Sequence, residues 1–305
     1  MTDSEHELST AAYYCNFYHS TAAVAIDGDE TKPSASSDGF WQEDTWTDKD
    51  YRSAEALLQT NLSRSVLPTH KIDKHVQNSK DWDSFYTHNK TKFYNDRHYL
   101  QREFEEDFHD LQNERTLVEI GAGVGNNILP LMESKPTWII YGFDLSSVAI
   151  DFLRQEQRFM DAQPRVTAAV WDITSSEVPP VESIADVTTL LFCLSAVHPA
   201  KMDIAMKNVA KTLKPGGILL FRDYGRYDEA QLKLGTARGQ RLAENFYVKQ
   251  DGTKCYYFCL EDMERLCDKA ELQVLDLKFL KRVYSNRAQD QQRRRVWVQG
   301  RFQKL

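Results

Sequence analysis

The sequence predicts an α/β fold. A mostly parallel sheet is crossed by helices, carries a C-terminal antiparallel hairpin and is preceded by an N-terminal helical extension. Three observations predict it. From Thr116 onward, short apolar runs of strand length alternate with segments of helical periodicity. A glycine-rich stretch, "EIGAGVGNN" from Glu119 to Asn127, follows the first such run and opens a helix. Near the C-terminus, two apolar runs face each other across a short polar loop. Strands separated by helices form parallel sheets through right-handed crossovers, whereas adjacent strands on a short loop pair antiparallel.

The elements follow in order. Residues 1–40 contain "AIDGDETKPSASSDG", small, polar and acidic, and are expected to form a disordered acidic tail. Residues 41–110 are expected to form a helical extension. One helix is placed from about Asp48 to Leu62, outside the main domain, because Tyr51, Ala54, Ala56, Leu57 and Leu58 recur at roughly helical spacing. The run "DWDSFYTHNKTKFYNDRHYLQREFEEDFH" after it is dense in aromatic and charged residues. Residues 111–305 form the main domain. "TLVEIG" is a strand, "GNNILPLMES" a helix, "TWIIYGFD" a strand, "SSVAIDFLRQEQRF" a helix, and "RVTAAVWD" and "ADVTTLLFCLSA" are strands. "AKMDIAMKNVAKTL" is a helix stopped by "KPGG", and "GILLFRD" is the next strand. A charged loop region is expected up to about Phe258. The helix "LEDMERLCDKA" and the hairpin strands "LQVLDLKFLKRVYS" and "RRRVWVQGRFQK" complete the chain.

Bulk properties bound the function. The 305 residues, 41% hydrophobic and 27% charged, suffice for one sizeable domain with extensions. No apolar run approaches the roughly 20 residues that span a bilayer. The start, "MTDSEHELSTAAYY", has neither the basic nor the apolar character of a secretory or mitochondrial leader. Cys15, Cys193, Cys255, Cys259 and Cys267 are scattered without a CxxC pair, so zinc is not expected and reduced thiols are. A cytosolic location is the expectation, with the nucleus left open. The net charge of −7 argues against nucleic acid, but residues 278–304 hold nine lysines and arginines against Asp290 alone.

The glycine loop is the centre of the chemistry. Its glycines permit a tight turn and close approach of backbone to a ligand. Asp144 ends the next strand, where a carboxylate can accept both hydroxyls of a ribose, and Asp172 ends the third. A dinucleotide site would prefer G-x-G-x-x-G over a helix N-terminus that binds pyrophosphate. Here Gly121, Gly123 and Gly125 follow Glu119, and a carboxylate beside the loop suits a ligand with ammonium and sulfonium charges. With "LKPGG" before the fifth strand, the set resembles a class I S-adenosylmethionine-dependent methyltransferase with a Rossmann-like domain. A non-binding domain of the same fold is the alternative.

Five further stretches sharpen that resemblance: "DWDSFYTHNKTKFYNDRHYLQREF", "LLFCLSAVHPAKM", "LKPGGILLFRDYGRYDEAQL", "ENFYVKQDGTKCYYF" and "RRRVWVQGRF". In that order the chain, from about Trp41 to Phe302, resembles the eukaryotic tRNA 3-methylcytidine methyltransferases of the methyltransferase-like family. "FWQEDTWTDKDYRSAEALLQTN" is similar to the N-terminal segment of the branch that modifies threonine tRNAs. The resemblance implies methylation of N3 of cytidine 32 in the anticodon loop, with S-adenosylmethionine and no metal. A synthetase partner, or a prior modification next to the anticodon, is implied as help for an acidic protein in docking tRNA.

Carried over by motif, the cofactor residues are Trp82, Tyr86, Gly121, Gly123, Asp144, Asp172, Ile173 and Leu191. Trp82 and Tyr86 lie outside the Rossmann core and imply a lid. Asp223, Arg222 and His98 are the catalytic candidates. Asp223 is expected to accept from the cytosine 4-amino group and Arg222 to lock that carboxylate or meet a phosphate. Arg97, Tyr224, Arg226, Lys249, Arg293 and Arg295 are the substrate-binding candidates. Bland readings stand beside these. The charged end of "GILLFRDYGRYD" can be a buried ion-pair network, and Asp228 is read as structural. His98 can be a satisfied structural histidine, and His198 can shape the turn before Pro199. Arg293 to Arg301 are expected to track phosphates, and a row of arginines on an edge strand can also block edge pairing.

Overall fold

The computed structural model describes residues 39–62, 79–91, 96–108, 113–236, 239–286 and 291–305. The expected tail therefore lies almost wholly outside the described residues.

Strand β2 (Thr116–Ile120) lies at the middle of the parallel part of an eight-stranded sheet. β3 (Ile139–Asp144) and β5 (Ala185–Leu191) flank it in parallel. β4 (Val166–Val170) lies beyond β3, and β6 (Leu213–Tyr224) beyond β5, also parallel. β11 (Gln291–Lys304) then runs antiparallel to β6, and β10 (Leu272–Asn286) antiparallel to β11. At the outer edge β1 (Gly39–Glu43) pairs with the end of β10, Glu43 opposite Arg282.

The two-residue side-chain period explains the layers. Val118, Leu219 and Phe221 face one core, closed by α8 (Met202–Thr212) and α10 (Leu260–Lys269) through Met206, Val209, Met263 and Leu266. Leu117, Ile218 and Leu220 face the other, closed by α5 (Ile128–Ser134) and α6 (Ser147–Gln155) through Ile128, Leu131, Ile150 and Leu153, with Leu100 of α3 (Leu100–Glu103) and Phe108 of α4 (Glu105–Phe108) in the same core. Strands buried on both faces read as near-continuous apolar runs, as Ile218 to Phe221 do. By the same parity, Arg222 shares a face with Leu220 and Asp223 with Phe221.

Four local features differ from expectation. "SSVAIDFLRQEQRF" breaks at Glu156, whose backbone is extended (φ −69°, ψ 127°), into α6 and α7 (Gln157–Asp161). The expected charged loop contains α9 (Glu229–Thr236) and a small antiparallel sheet of β7 (Arg241–Ala243), β8 (Phe246–Val248) and β9 (Lys254–Tyr256). Strands of three residues are too short for periodicity to register. β1 gives the extension a strand where only helices were expected, and its first two residues fall within the span assigned to the tail. Finally, α1 (Asp48–Leu62) has the expected bounds but does not stand apart. It buries Ala54, Leu58 and Asn61, and Asn61 Nδ2 donates to the Leu232 carbonyl of α9 at 3.2 Å. Arg241 Nη1 donates to the carbonyls of Asn61 and Leu62 at 3.0 and 2.9 Å, satisfying acceptors that a helix end leaves open.

Candidate active site

The carboxyl ends of β2, β3, β4 and β5 open into one cleft of about 570 Å³, its open mouth included. Such strand ends, where the sheet order reverses, are where open α/β sheets bind ligands. β2 ends in the glycine loop. Gly121 and Gly123 take φ of +73° and +55°, and both are crowded. A Cβ on Gly121 would lie 2.6 Å from Cys193 Sγ, and one on Gly123 would lie 2.6 Å from the Tyr86 hydroxyl. Only glycine satisfies both the left-handed backbone and that approach.

Asp144 ends β3 and holds the loop. Its Oδ2 accepts from Gly123 N, and its Oδ1 from Ser146 N, each at 2.8 Å. Burial raises its pKa and nearby Asp83 adds to the rise, while the two backbone N–H groups pull it back. Each oxygen retains a second lone pair for a ligand hydroxyl. Asp172, past the end of β4, has Oδ1 fixed by Thr174 N and Oγ1, both at 2.8 Å. Asp172 and Ile173 line the cleft with Trp171 and Phe143.

The N-terminal extension supplies a cover. Helix α2 (Ser79–Asn89) places Trp82 and Tyr86 in the lining. Asp83 clasps the first turn of α6: its Oδ1 accepts from Ser146 Oγ at 2.6 Å and more weakly from Val148 N at 3.4 Å. Asp81, two residues earlier and so on the other side of the helix, pairs with the buried Lys254 of β9. The helix is thus tied both to the main sheet's helices and to the small sheet.

Other expected residues fall elsewhere. Leu191 turns its side chain into the core beside Leu220, and the next two residues, Phe192 and Cys193, line the cleft instead. Asp223 is fully buried, with Oδ2 accepting from Ser195 N at 2.9 Å and Oδ1 from Tyr224 N at 2.8 Å. It anchors the turn behind the cleft wall, rather than presenting a carboxylate to a base. Arg222, on the opposite face, cannot lock Asp223. Its Nε donates to Gln299 Oε1 and its Nη2 to Glu103 Oε2, both at 2.8 Å, and its guanidinium lies over the Tyr99 ring. Adjacent residues on a strand point to opposite faces, which separates the pair.

Arg97 comes close. Its backbone N donates to the Asn126 carbonyl at 2.6 Å, and its guanidinium lies 5.4 Å from the Phe192 centroid. Burial raises the pKa of both Asp223 and Glu119, and the Arg97 charge pulls each part of the way back. His98, beside it, is exposed. His198 caps the turn as in the bland reading, its Nδ1 accepting from Ala200 N at 3.2 Å. Tyr224 is 5.2 Å from Phe192 between ring centroids.

The basic tail is already engaged. Arg295 Nε donates to Asp228 Oδ2 at 2.8 Å, with Asp228 fully buried, which bears out the structural reading of Asp228. Arg293 is also buried. Arg294 pairs with Asp50 and Asp44 of the extension, Arg226 with Glu55 at 3.1 Å, and Lys249 reaches Asp251 at 4.0 Å. The expectation that Arg293 to Arg301 track phosphates is not met at Arg293 and Arg295, whose side chains are buried. These cations hold the strand hairpin to the extension and to the loop after β6. Spacing along the sequence cannot show that the partners of Arg226, Arg294 and Arg295 come from residues 44–55 and 228.

Comparison with known proteins agrees with this geometry. A profile described as "Methyltransferase domain" matches residues 87–277. The tRNA N(3)-methylcytidine methyltransferase Mettl2 of Drosophila melanogaster is 36% identical over 272 residues, covering 87% of this chain and 83% of that protein. The tRNA N(3)-cytidine methyltransferase METTL6 of Homo sapiens is 38% identical over 259 residues, covering 82% and 88%. The chain belongs to the tRNA N3-methylcytidine methyltransferases. Among solved structures, a SAM-dependent methyltransferase from Methanosarcina mazei superposes with a TM-score of 0.51 at 20% identity, covering 69% of this chain and 99% of that one. That likeness concerns the fold.

The cleft of this methyltransferase fits S-adenosylmethionine. Gly121 lines it without a side chain, and the strand-end carboxylates Asp144 and Asp172 face the same space. Asp144 would hold the ribose hydroxyls, Asp172 and Ile173 the adenine, the glycine loop the methionine portion, and Trp82 and Tyr86 would close over it. Among the described residues no cluster of His, Cys, Asp and Glu is placed to hold a metal ion, and no helix is long and apolar enough to cross a membrane.

Proposed function

We propose that this enzyme methylates N3 of cytidine 32 in the anticodon loop of tRNA, acting on threonine isoacceptors in the cytosol. The observation that carries the reading is the shared cleft of Asp144, Asp172, Trp82 and Tyr86 in a chain of this family. The threonine assignment draws on residues 40–61, which resemble that branch and whose α1 packs on α9.

The chemistry asks little acid or base work of the chain. N3 of cytosine carries an in-plane lone pair, so no proton need leave before attack. The atom lies on the Watson–Crick edge, so the base must be unpaired and splayed, which costs least in a loop. S-adenosylmethionine, when bound, supplies a methyl group activated by a sulfonium. The chain orients the base against that group, excludes water beneath α2, and stabilises the cation that develops on the ring. Asp223 serves the last task from behind the wall. Burial pushes its carboxyl up to about 6, against the pull of Ser195 N, so at neutral pH it is a fixed anion behind Cys193 and Ser195. Transfer is expected to weaken as pH falls through 6.

The test is a panel of tRNAs, unmodified and native, with and without candidate synthetases, followed by mass spectrometry of the nucleosides. The reading expects 3-methylcytidine at position 32 of threonine tRNAs. No product, or a different nucleoside, defeats it; product confined to other isoacceptors defeats the threonine assignment.

A further inference from the structure

Strand β5 leaves the sheet through Phe192, whose φ of +52° lies in the left-handed region. That conformation is uncommon outside glycine and, for a bulky residue, persists only where the surroundings enforce it. Here the restraints are visible. Phe192 N donates to the Arg222 carbonyl at 2.7 Å, and the Arg222 side chain is itself fixed by Gln299 and Glu103. Cys193, the next residue, is pressed beneath Gly121. The ring is restrained as well, by the Arg97 guanidinium at 5.4 Å, Tyr224 at 5.2 Å and the edge of Trp297 at 6.1 Å. Leu190 and Leu191 before it are fully packed, yet this ring is only half-buried and lines the cleft. Packing alone does not call for a strained backbone that turns an aromatic ring out of a core and into a ligand cleft.

We infer that Phe192 is the stacking platform for the target pyrimidine and so a specificity-determining residue of the reaction proposed above, on which this inference rests. An unpaired base offers a flat π face, and an aromatic side chain is its usual support. Arg97 against the ring adds a cation–π contact that holds the platform in place. The other aromatics of the cleft are less available. Tyr86 packs on Trp82 and Phe85, Trp82 on Phe85 as well, and Trp171 against Phe143.

The experiment compares wild type with Phe192→Leu, which keeps apolar bulk but loses the flat face, and with Phe192→Tyr, which keeps it. Phe192→Leu is expected to lower kcat/KM for tRNA by about 10- to 100-fold, while its Kd for S-adenosylmethionine stays within about threefold. Phe192→Tyr is expected to restore turnover. Pyrrolocytosine at the target position should be quenched in complex with wild type and not with Phe192→Leu. Unchanged kcat/KM in Phe192→Leu, or an equal loss of cofactor affinity, overturns the platform alone if wild type still makes 3-methylcytidine. Wild type that makes none overturns the functional reading and the platform together. Should Phe192→Leu fail to fold, the wild-type complex decides, and unquenched pyrrolocytosine at saturation overturns the platform.

Discussion

Asp144 shows how one side chain can serve both architecture and ligand. Its oxygens accept from Gly123 N and Ser146 N, so it shapes the glycine loop that would receive the cofactor. Asp144→Ala should therefore abolish measurable binding of S-adenosylmethionine in titration calorimetry, and an unchanged affinity would remove the site. Glu119 is different. It is buried beneath the loop with Oε2 lacking a hydrogen-bond partner, and burial pushes its carboxyl from the usual 4.5 up to about 8, outweighing the pull of Arg97. The native chain thus keeps a proton that the unfolded chain releases above about 4.5. Its ionisation opposes folding progressively as pH rises towards 8. Glu119→Gln stays neutral throughout, so its Tm should decline less than wild type between pH 5 and 8, as seen in thermal melts across that range. Parallel melting curves would show that Glu119 is not held neutral.

At the scale of elements, the end of β6 joins two halves of the site. One face sends Arg222 to Glu103 and the segment that carries Arg97, and the other sends Asp223 to the turn that carries Cys193. The loop after β6 is then fixed to β11 by Asp228, which accepts from both Arg295 Nε and Val296 N. Removing one member of a buried ion pair leaves an uncompensated charge and costs about 3–5 kcal/mol. Arg295→Met should lose about that much in urea denaturation, whereas Arg294→Met, whose side chain is 44% exposed, should lose less. Equal losses would mean that the Arg295–Asp228 pair is no more structural than its neighbour.

Over the whole molecule, the basic charge of the C-terminal strands is largely spent within the fold. Arg301 pairs with Asp107 and Glu106, Arg294 with Asp44 and Asp50, and Lys281 meets Tyr51. Few of these cations are left to displace counterions from tRNA. The slope of log K against log salt should be no steeper than about −4, at roughly 0.7–0.9 per phosphate contact. Filter binding between low and moderate salt checks this, and a slope near −8 would mean that the pairs open on docking.

The large strands, the glycine loop and the strand-end aspartates were legible in the sequence because each is a local pattern: period, turn chemistry, and a carboxylate where an apolar run stops. The same holds for α1, whose bounds its periodicity marked. Tertiary structure alone decided which charges remain available, since the partners of Arg222, Arg294, Arg295 and Arg301 lie 65 or more residues away in the chain. It alone decided that Phe192 rather than Leu191 faces the cleft, because that depends on a backbone twist fixed by the Arg222 carbonyl of the neighbouring strand. Local propensity records what a residue prefers, whereas burial and pairing across the sheet determine what it is left free to do.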